Sequence, residues 1–464
     1  MALSEDIVRV ASRVARLALP GPRRVRIAVT GLARAGKTTF LTALVHHLLA
    51  ASGEGAGTLG LADFQAAAEL RLLRYAFRST GVGAEFPFRP NRDRLLAPEP
   101  SWPEPTADIR GLSLTLGFRS GSLIGGLLGE DELLLEVVDY PGEWLLDLPL
   151  LEQDFAGWSR ATLALCERAP RRALAAEWRA LLGQHDPSRT AGEAAIDAIH
   201  AAYRRFLLRA RDEARLSLLQ PGLFLNPGNN FGLDPAHRFS PLDLPAGAAP
   251  PPGSLHAVMA ERFDAYKRNW VEPFFRERFA SFDRQVVLVD VLGMLSAGEA
   301  AFDDARAALA ATLESFGEGR GGWIARLIGR RPAKLLFAAT KADHIARAQY
   351  RNLLSLLQAM ARGAGDEARI ETAGFGILAS VRSTTEARRV IDGQPRTVLH
   401  GRRLDGVEGD CLPPEIPAEL PGPADWAEPF EFMQFAPPRL APGSVLPHIK
   451  LDTVLEFLLG DMLA

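Results

Sequence analysis

The chain has 464 residues, 47% of them apolar, a formal net charge of −3 and two cysteines, Cys166 and Cys411. That composition excludes a disordered polymer, a disulfide-stapled framework and a Cys/His metal cluster, and the 53 basic residues are spread along the chain rather than gathered for nucleic acid. The length exceeds one ordinary domain, so one large α/β domain carrying a second unit is expected. No uninterrupted apolar run reaches the roughly 18 residues of a membrane span, and the N-terminus shows no signal-peptide core, so a cytoplasmic chain is expected.

In chain order, "SEDIVRVASRVARLAL" (4–19) reads as an amphipathic helix, with Ile7, Val10, Val14 and Leu17 on one face and Arg9, Arg13 and Arg16 on the other. Pro20-Gly21-Pro22 stops it. "RVRIAVT" then reads as a strand and 37–52 as a helix, with 61–78 helical and 79–107 a long Pro/Gly/Arg-rich surface loop. "IRGLSLTLGF" and "ELLLEVVDY" read as two strands. Helical stretches fill 145–284, and buried-strand runs return as "QVVLVDVL", "KLLFAAT" and "GFGILASV". Short apolar runs alternating with helices imply a mostly parallel sheet covered on both faces. Residues 385–435 read as a hairpin-and-loop appendage, and a last helix can start at Asp452. The predicted division is therefore 1–22 N-terminal helix, 23–144 and 285–384 two parts of a nucleotide domain, 145–284 a helical insertion, and 385–464 an appendage with the C-terminal helix.

"GLARAGKTTF" sits between the first strand and the first long helix. Gly31 and Gly36 allow a tight turn whose N–H groups converge on phosphate oxygens, with Ala33, Arg34, Ala35 and Thr39 completing the cradle. Lys37 supplies charge for the β- and γ-phosphates and Thr38 a hydroxyl for Mg²⁺. The positive end of the following helix points to the same place. Next, "VVDYPGEW" ends a strong strand in a D-x-x-G pattern. Asp139 can hold Mg²⁺ through water, and the N–H of Gly142 can sense a γ-phosphate.

"LLFAATKADH" places Thr340, Lys341 and Asp343 after another buried strand, with His344 in the same turn. GTPases normally carry Asn where Thr340 stands, Thr being an alternative. The Asp343 carboxylate can accept from guanine N1–H and the exocyclic amine, a bidentate match that adenine lacks. In "ILASVRST", Ser380 and Val381 are candidates for a backbone N–H on guanine O6. Thr106, or alternatively Thr80, would be a switch threonine on Mg²⁺. Trp102 either stacks on the base or ribose or packs under its own loop.

These elements occur in the order found in Ras-like GTPases. More closely, "GLARAGKTTF", "DYPGEWLLDLPLL", "RQVVLVDVL", "KLLFAATKADH", "ILASVRST" and "PHIKLDTVLEFLLGD" resemble the YcjX family of stress-associated bacterial P-loop proteins, and the likeness runs from about residue 25 to the end. The resemblance implies a Ras-like P-loop fold with a helical insertion between its third and fourth core strands, GTP or GDP with Mg²⁺ as ligands, and slow turnover as a molecular switch. It also implies an envelope-stress setting and a small membrane-protein partner. Ras-like proteins often carry Gln after D-x-x-G, to orient the attacking water. Glu143 stands there instead, and its charge repels a γ-phosphate. Arg34 resembles the loop arginine of guanylate-binding proteins and atlastins. It is either an internal arginine finger, engaged when two nucleotide domains meet in a homodimer, or a solvent-facing side chain. Two apolar segments, "SLIGGLLG" and "GRGGWIARLIGRRPAK", suit either an anionic membrane surface or packing within the protein. The alternatives to a GTPase are an ATPase and a nucleotide-binding scaffold that recruits a membrane-associated partner.

Overall fold

The computed structural model describes residues 23–31, 34–53, 60–81, 83–104, 109–120, 129–226, 237–245, 247, 250–316, 334–362 and 373–464. The predicted N-terminal helix, Ala33, Thr106 and nearly all of both apolar segments lie outside them.

The strands are β1 (Arg23–Gly31), β2 (Leu72–Arg78), β3 (Ala84–Glu85), β4 (Arg110–Arg119), β5 (Glu130–Asp139), β6 (Arg284–Val289), β7 (Lys334–Ala339), β8 (Gly374–Ile377), β9 (Thr384–Ile391), β10 (Gln394–Arg402) and β11 (Glu408–Cys411). The helices include α1 (Lys37–Ala51), α2 (Phe88–Leu95), α3 (Phe155–Leu165), α4 (Glu193–Asp212), α5 (Leu255–Tyr266), α6 (Val291–Ser296), α7 (Glu299–Phe316), α8 (Tyr350–Arg362) and α9 (Leu451–Leu463).

An eight-stranded sheet runs β2-β4-β5-β1-β6-β7-β8, with β3 beside β4. The pairs from β5 through β8 are parallel, and β4 is antiparallel to both β2 and β5. Every residue of β6 is buried. Its side chains alternate: Val286 and Leu288, with Leu336 and Ala338 of β7, join α1 and α9 on one face. Val287 and Val289, with Phe337 and Ala339, join α7 and α8 on the other. Each Val, Leu or Phe side chain among these contributes about 1.5–3 kcal/mol on burial, so a one-residue slip would be costly and the register is fixed. This is the expected α/β architecture, a mostly parallel sheet covered by helices on both faces.

Between β5 and β6 the chain builds a helical layer around a third core, rich in rings: Trp158, Trp178, Tyr203, Phe224, Phe239 and Phe263. That core also takes in Ala28 of β1, Val138 of β5 and Trp144, so the layer grows directly out of the sheet. β9, β10 and β11 form a separate antiparallel sheet.

Two expected elements differ. The region 61–78 holds only a short helix, Gln65–Ala68, before β2. Leu70 at φ 53° ends the helix, and Leu72–Arg78 gains a ladder with β4 plus ion pairs from Arg74 to Glu130 and Glu132. Tertiary pairing overrides the helical propensity of the Ala- and Leu-rich sequence. Residues 79–107 are not all surface loop: β3 and α2 lie there, with Phe86, Phe88 and Leu95 in the core.

Candidate functional site

β1 delivers Gly31 to the centre of the sheet, and the chain turns into α1 through Arg34 (φ 67°) and Gly36 (φ 82°). Nothing lies within 4 Å of a Cβ built on Gly36, so its left-handed backbone, not crowding, calls for glycine. Gly31 is different: a Cβ there would stand 2.5 Å from the Leu288 carbonyl oxygen. α1 opens with no side-chain cap and no acid in its first turn, leaving its N-terminal N–H groups for an anion. Lys37 Nζ donates to the Gly31 carbonyl at 3.0 Å, folded back over the loop it would serve. Thr38 is buried at the start of the same helix.

Asp139 ends β5 directly opposite Val29 of β1, and is buried. Gly142 follows so close to the phosphate loop that a Cβ on it would lie 2.4 Å from the Gly31 carbonyl oxygen. Thr38 and Asp139 offer a hydroxyl and a carboxylate, an oxygen donor set that suits Mg²⁺ completed by water and phosphate. Thr80 follows the edge strand β2 and is separated from β5 by β4.

Residues Gly142–Glu152 form a 3₁₀ helix pinned to the helical layer. Trp144 Nε1 donates to the Asn226 carbonyl at 3.1 Å, and Gln220 donates to the Leu146 carbonyl. Asp147, fully buried, accepts from the N–H groups of Gly222 (2.7 Å) and Leu223 (3.3 Å) and from the Tyr266 hydroxyl (2.5 Å). Burial pushes its carboxyl up to about 7, outweighing the three donors that pull it down. Glu143 is buried too, and a Cβ on Gly222 would stand 2.0 Å from its carbonyl oxygen, so the two backbones touch.

At the other end, the turn after β7 is tied to the one after β8. Leu378 N–H donates to the Ala339 carbonyl (2.8 Å) and Ala342 N–H to the Leu378 carbonyl (3.1 Å). Asp343 Oδ2 accepts from both the N–H (2.8 Å) and the hydroxyl (2.5 Å) of Ser383, and the Thr384 hydroxyl donates to the Asp343 carbonyl. The carboxylate is thereby fixed in one orientation. Lys341, at φ 60°, reaches Asp290 at the end of β6 at 2.5 Å. His344 is buried edge-on to Phe435, and burial lowers its pKa.

Both ends open onto one cavity of about 220 Å³. Of the residues expected to bind a nucleotide, Arg34, Ala35, Gly36, Thr39, Trp102, Thr340, Lys341, Asp343, His344, Ser380 and Val381 line it. Lys37, Thr38, Asp139, Gly142 and Glu143 are not among its lining residues, although Lys37 and Thr38 stand between Gly36 and Thr39 in the chain. Trp102 forms part of the wall, and its Nε1 donates to the Phe435 carbonyl at 2.8 Å. Sequence reasoning missed Ala379, Gln434 and Phe435 in the lining, and missed Ser383, Asp290 and Asp147. Ser383 lay within the quoted "ILASVRST" and had a local signal; Phe435 and Asp147 had none.

The chain matches the family model "YcjX-like family, DUF463" over residues 25–463. It is 39% identical over 455 residues to the "Ras-like GTPase YcjX" of Escherichia coli (strain K12), covering 95% of this chain and 96% of that protein. It is 34% identical over 467 residues to the "Ras-like GTPase YcjX" of Shewanella oneidensis, covering 95% of each.

Proposed function

The chain belongs to the YcjX-like family, and from that membership and the site's geometry we propose that it binds guanine nucleotides and slowly hydrolyses GTP as a Mg²⁺-dependent switch. The observation that carries this reading is the single cavity with a phosphate loop at one end and an oriented aspartate at the other. Asp343, held by Ser383, would accept from guanine N1–H and N2–H; adenine has no such pair of donors and would leave the carboxylate unmatched. Lys37 would exchange the Gly31 carbonyl for phosphate oxygens, joined by the N–H groups of the loop and of α1. Thr38 and Asp139 would hold the metal, which when bound neutralises charge on the phosphates.

Gly142 has no side chain between its backbone and Gly31, so its N–H would register a γ-phosphate. Glu143 would orient the attacking water. Arg34 is exposed on the loop beside the cavity, and we assign its guanidinium to the charge that develops on the transferred phosphoryl group. The envelope-stress setting, the membrane-protein partner and a peripheral place at the inner face of a membrane form the outer part of the proposal. Their support is the family resemblance. No helix among the described residues is long and apolar enough to cross a membrane.

Calorimetry with GDP, GTP and ATP, with and without Mg²⁺, followed by a phosphate-release assay tests this reading. Guanine nucleotides should bind at least tenfold more tightly than ATP, with the Lys37→Ala chain losing most of that affinity. Equal binding of GTP by Lys37→Ala and the unmodified chain would overturn it.

A further inference from the structure

Just past the end of β6 stands a buried carboxylate with two fixed partners. One oxygen of Asp290 accepts from the Gly293 N–H at 2.9 Å and so caps α6. The other accepts from Lys341 Nζ at 2.5 Å. A Cβ on Gly293 would stand 2.4 Å from that second oxygen, so the carboxylate is seated tightly against the helix it caps.

Lys341 is held through its backbone as well. The Thr340 N–H donates to the Val289 carbonyl at 2.9 Å, the Ala342 N–H to the Leu378 carbonyl at 3.1 Å, and the His344 N–H to the Lys341 carbonyl at 2.9 Å. The lysine side chain is thus anchored at both ends. Lys341 lines the larger cavity together with Thr340 and Asp343, whereas Asp290 lines a smaller one of about 60 Å³. The ammonium is therefore drawn out of the larger cavity, and the methylene stem is what that cavity meets.

We propose that Asp290 is a positioning residue for the nucleotide base: by holding the Lys341 ammonium it fixes the lysine stem as an apolar platform for one face of the purine whose edge Asp343 reads. The inference rests on the guanine-binding reading above. A lysine can bury its methylenes against a ring while its charge stays paired elsewhere. A stem ordered in advance gives up no side-chain freedom when the nucleotide arrives.

The test is a double-mutant cycle in the full chain, reading GDP and GTP affinity by calorimetry and GTP turnover on the same preparations. Asn caps a helix as well as Asp does, so Asp290→Asn keeps α6 capped and removes only the charge that holds Lys341. It should weaken GDP and GTP binding alike, by roughly tenfold, with kcat at saturating GTP within about twofold, because the base contact is equal in ground and transition states. Lys341→Met, which has a stem but no ammonium, should lose about the same, and it decides the matter alone if Asp290→Asn does not fold. In the Lys341→Met background, Asp290→Asn should cost less than about twofold; a merely structural Asp290 would cost the same in both. Equal costs in both backgrounds, unchanged affinity in either single variant, or tighter binding by Asp290→Asn as the freed ammonium reaches the nucleotide each overturns the inference and leaves the guanine-binding reading standing. An unmodified chain that binds no guanine nucleotide overturns both.

Discussion

Asp147 offers a quantitative test of how the Gly142–Glu152 segment is held. Its carboxyl is buried and displaced from the ordinary 3.8 up to about 7. As pH rises through 3.8 the unfolded chain releases this proton while the folded chain keeps it, so the unfolded state is favoured until the folded carboxyl also ionises near pH 7. The stability this group confers is therefore complete below about pH 4 and lost by about pH 7. At about 1.4 kcal/mol per pH unit, that interval amounts to roughly 4 kcal/mol. The other titratable groups facing it, Tyr266 and Tyr203, have pKa values raised well above the ordinary by burial and stay protonated throughout the window. Asp147→Asn removes the titration. The amide oxygen can still accept from Gly222 N–H and the amide nitrogen can donate to the Tyr266 oxygen, but Leu223 N–H loses its acceptor at a cost of about 1–2 kcal/mol. The unmodified chain should thus be the more stable at pH 4.5 and the variant the more stable at pH 8, by about 2–3 kcal/mol, with a crossing near pH 5. Urea denaturation of both chains across that range, followed by tryptophan fluorescence, measures the difference, in which the other carboxylates cancel. A difference that stays flat from pH 4.5 to 8 would refute the reasoning.

Other consequences are equally open to measurement. Asp343→Asn should weaken GDP binding by at least a hundredfold while improving binding of xanthine nucleotides, which present a carbonyl where guanine has its amine; unchanged base preference in competition calorimetry would exclude Asp343 from the base site. Arg34→Ala should lower GTP turnover by up to roughly 10³-fold with GDP affinity nearly unchanged, and full activity would return Arg34 to solvent. Gly142→Ala places a Cβ 2.4 Å from the Gly31 carbonyl oxygen, so it should distort the phosphate loop and abolish the difference between GTP and GDP affinity; an unaltered ratio argues against close contact there. Amide hydrogen exchange should slow at residues 220–226 as well as 139–147 when GDP is replaced by a non-hydrolysable GTP analogue, and protection confined to the phosphate loop would uncouple the helical layer from the switch.

The position of the candidate loops at the ends of β1, β5 and β7 was legible because a strand end followed by a few residues of defined type is a local object. Gly36 needs its positive φ and Asp139 and Asp343 their strand ends, whatever the rest of the chain does. The parallel sheet was legible for a similar reason, since strands buried on both faces, such as "RQVVLV", leave continuous apolar runs. β2 was not. Its residues are half exposed at a sheet edge, and their state is decided by β4, which lies in a different part of the sequence. Asp147 was equally hidden. An acid four residues beyond Glu143 looks like a solvated charge until residues 220–226 and Tyr266 are folded over it. Trp102 and Phe435 are 333 positions apart, and only the fold makes them one wall.

The placement of Gly142–Glu152 matters more than any single side chain in it. The segment begins where a γ-phosphate would be sensed and runs at once into the aromatic core of the helical layer, through Trp144, Leu145 and Leu148. The layer is in turn clamped to α7, which packs on the same face of the sheet. Asp304 of α7 accepts from the N–H groups of Ser217 (2.6 Å) and Leu218 (2.8 Å) and pairs with the buried Arg171, which itself donates to the Leu218 carbonyl. The segment 217–226 is thus held at one end by α7 and at the other by the 3₁₀ helix Gly142–Glu152, with no slack between Gly222 and Glu143. Close-packed contacts of this kind do not deform gradually; they hold or they exchange for another arrangement. A change at Gly142 must therefore be accommodated by the helical layer, which under the proposed function makes that layer the part of the molecule best placed to report which nucleotide is bound.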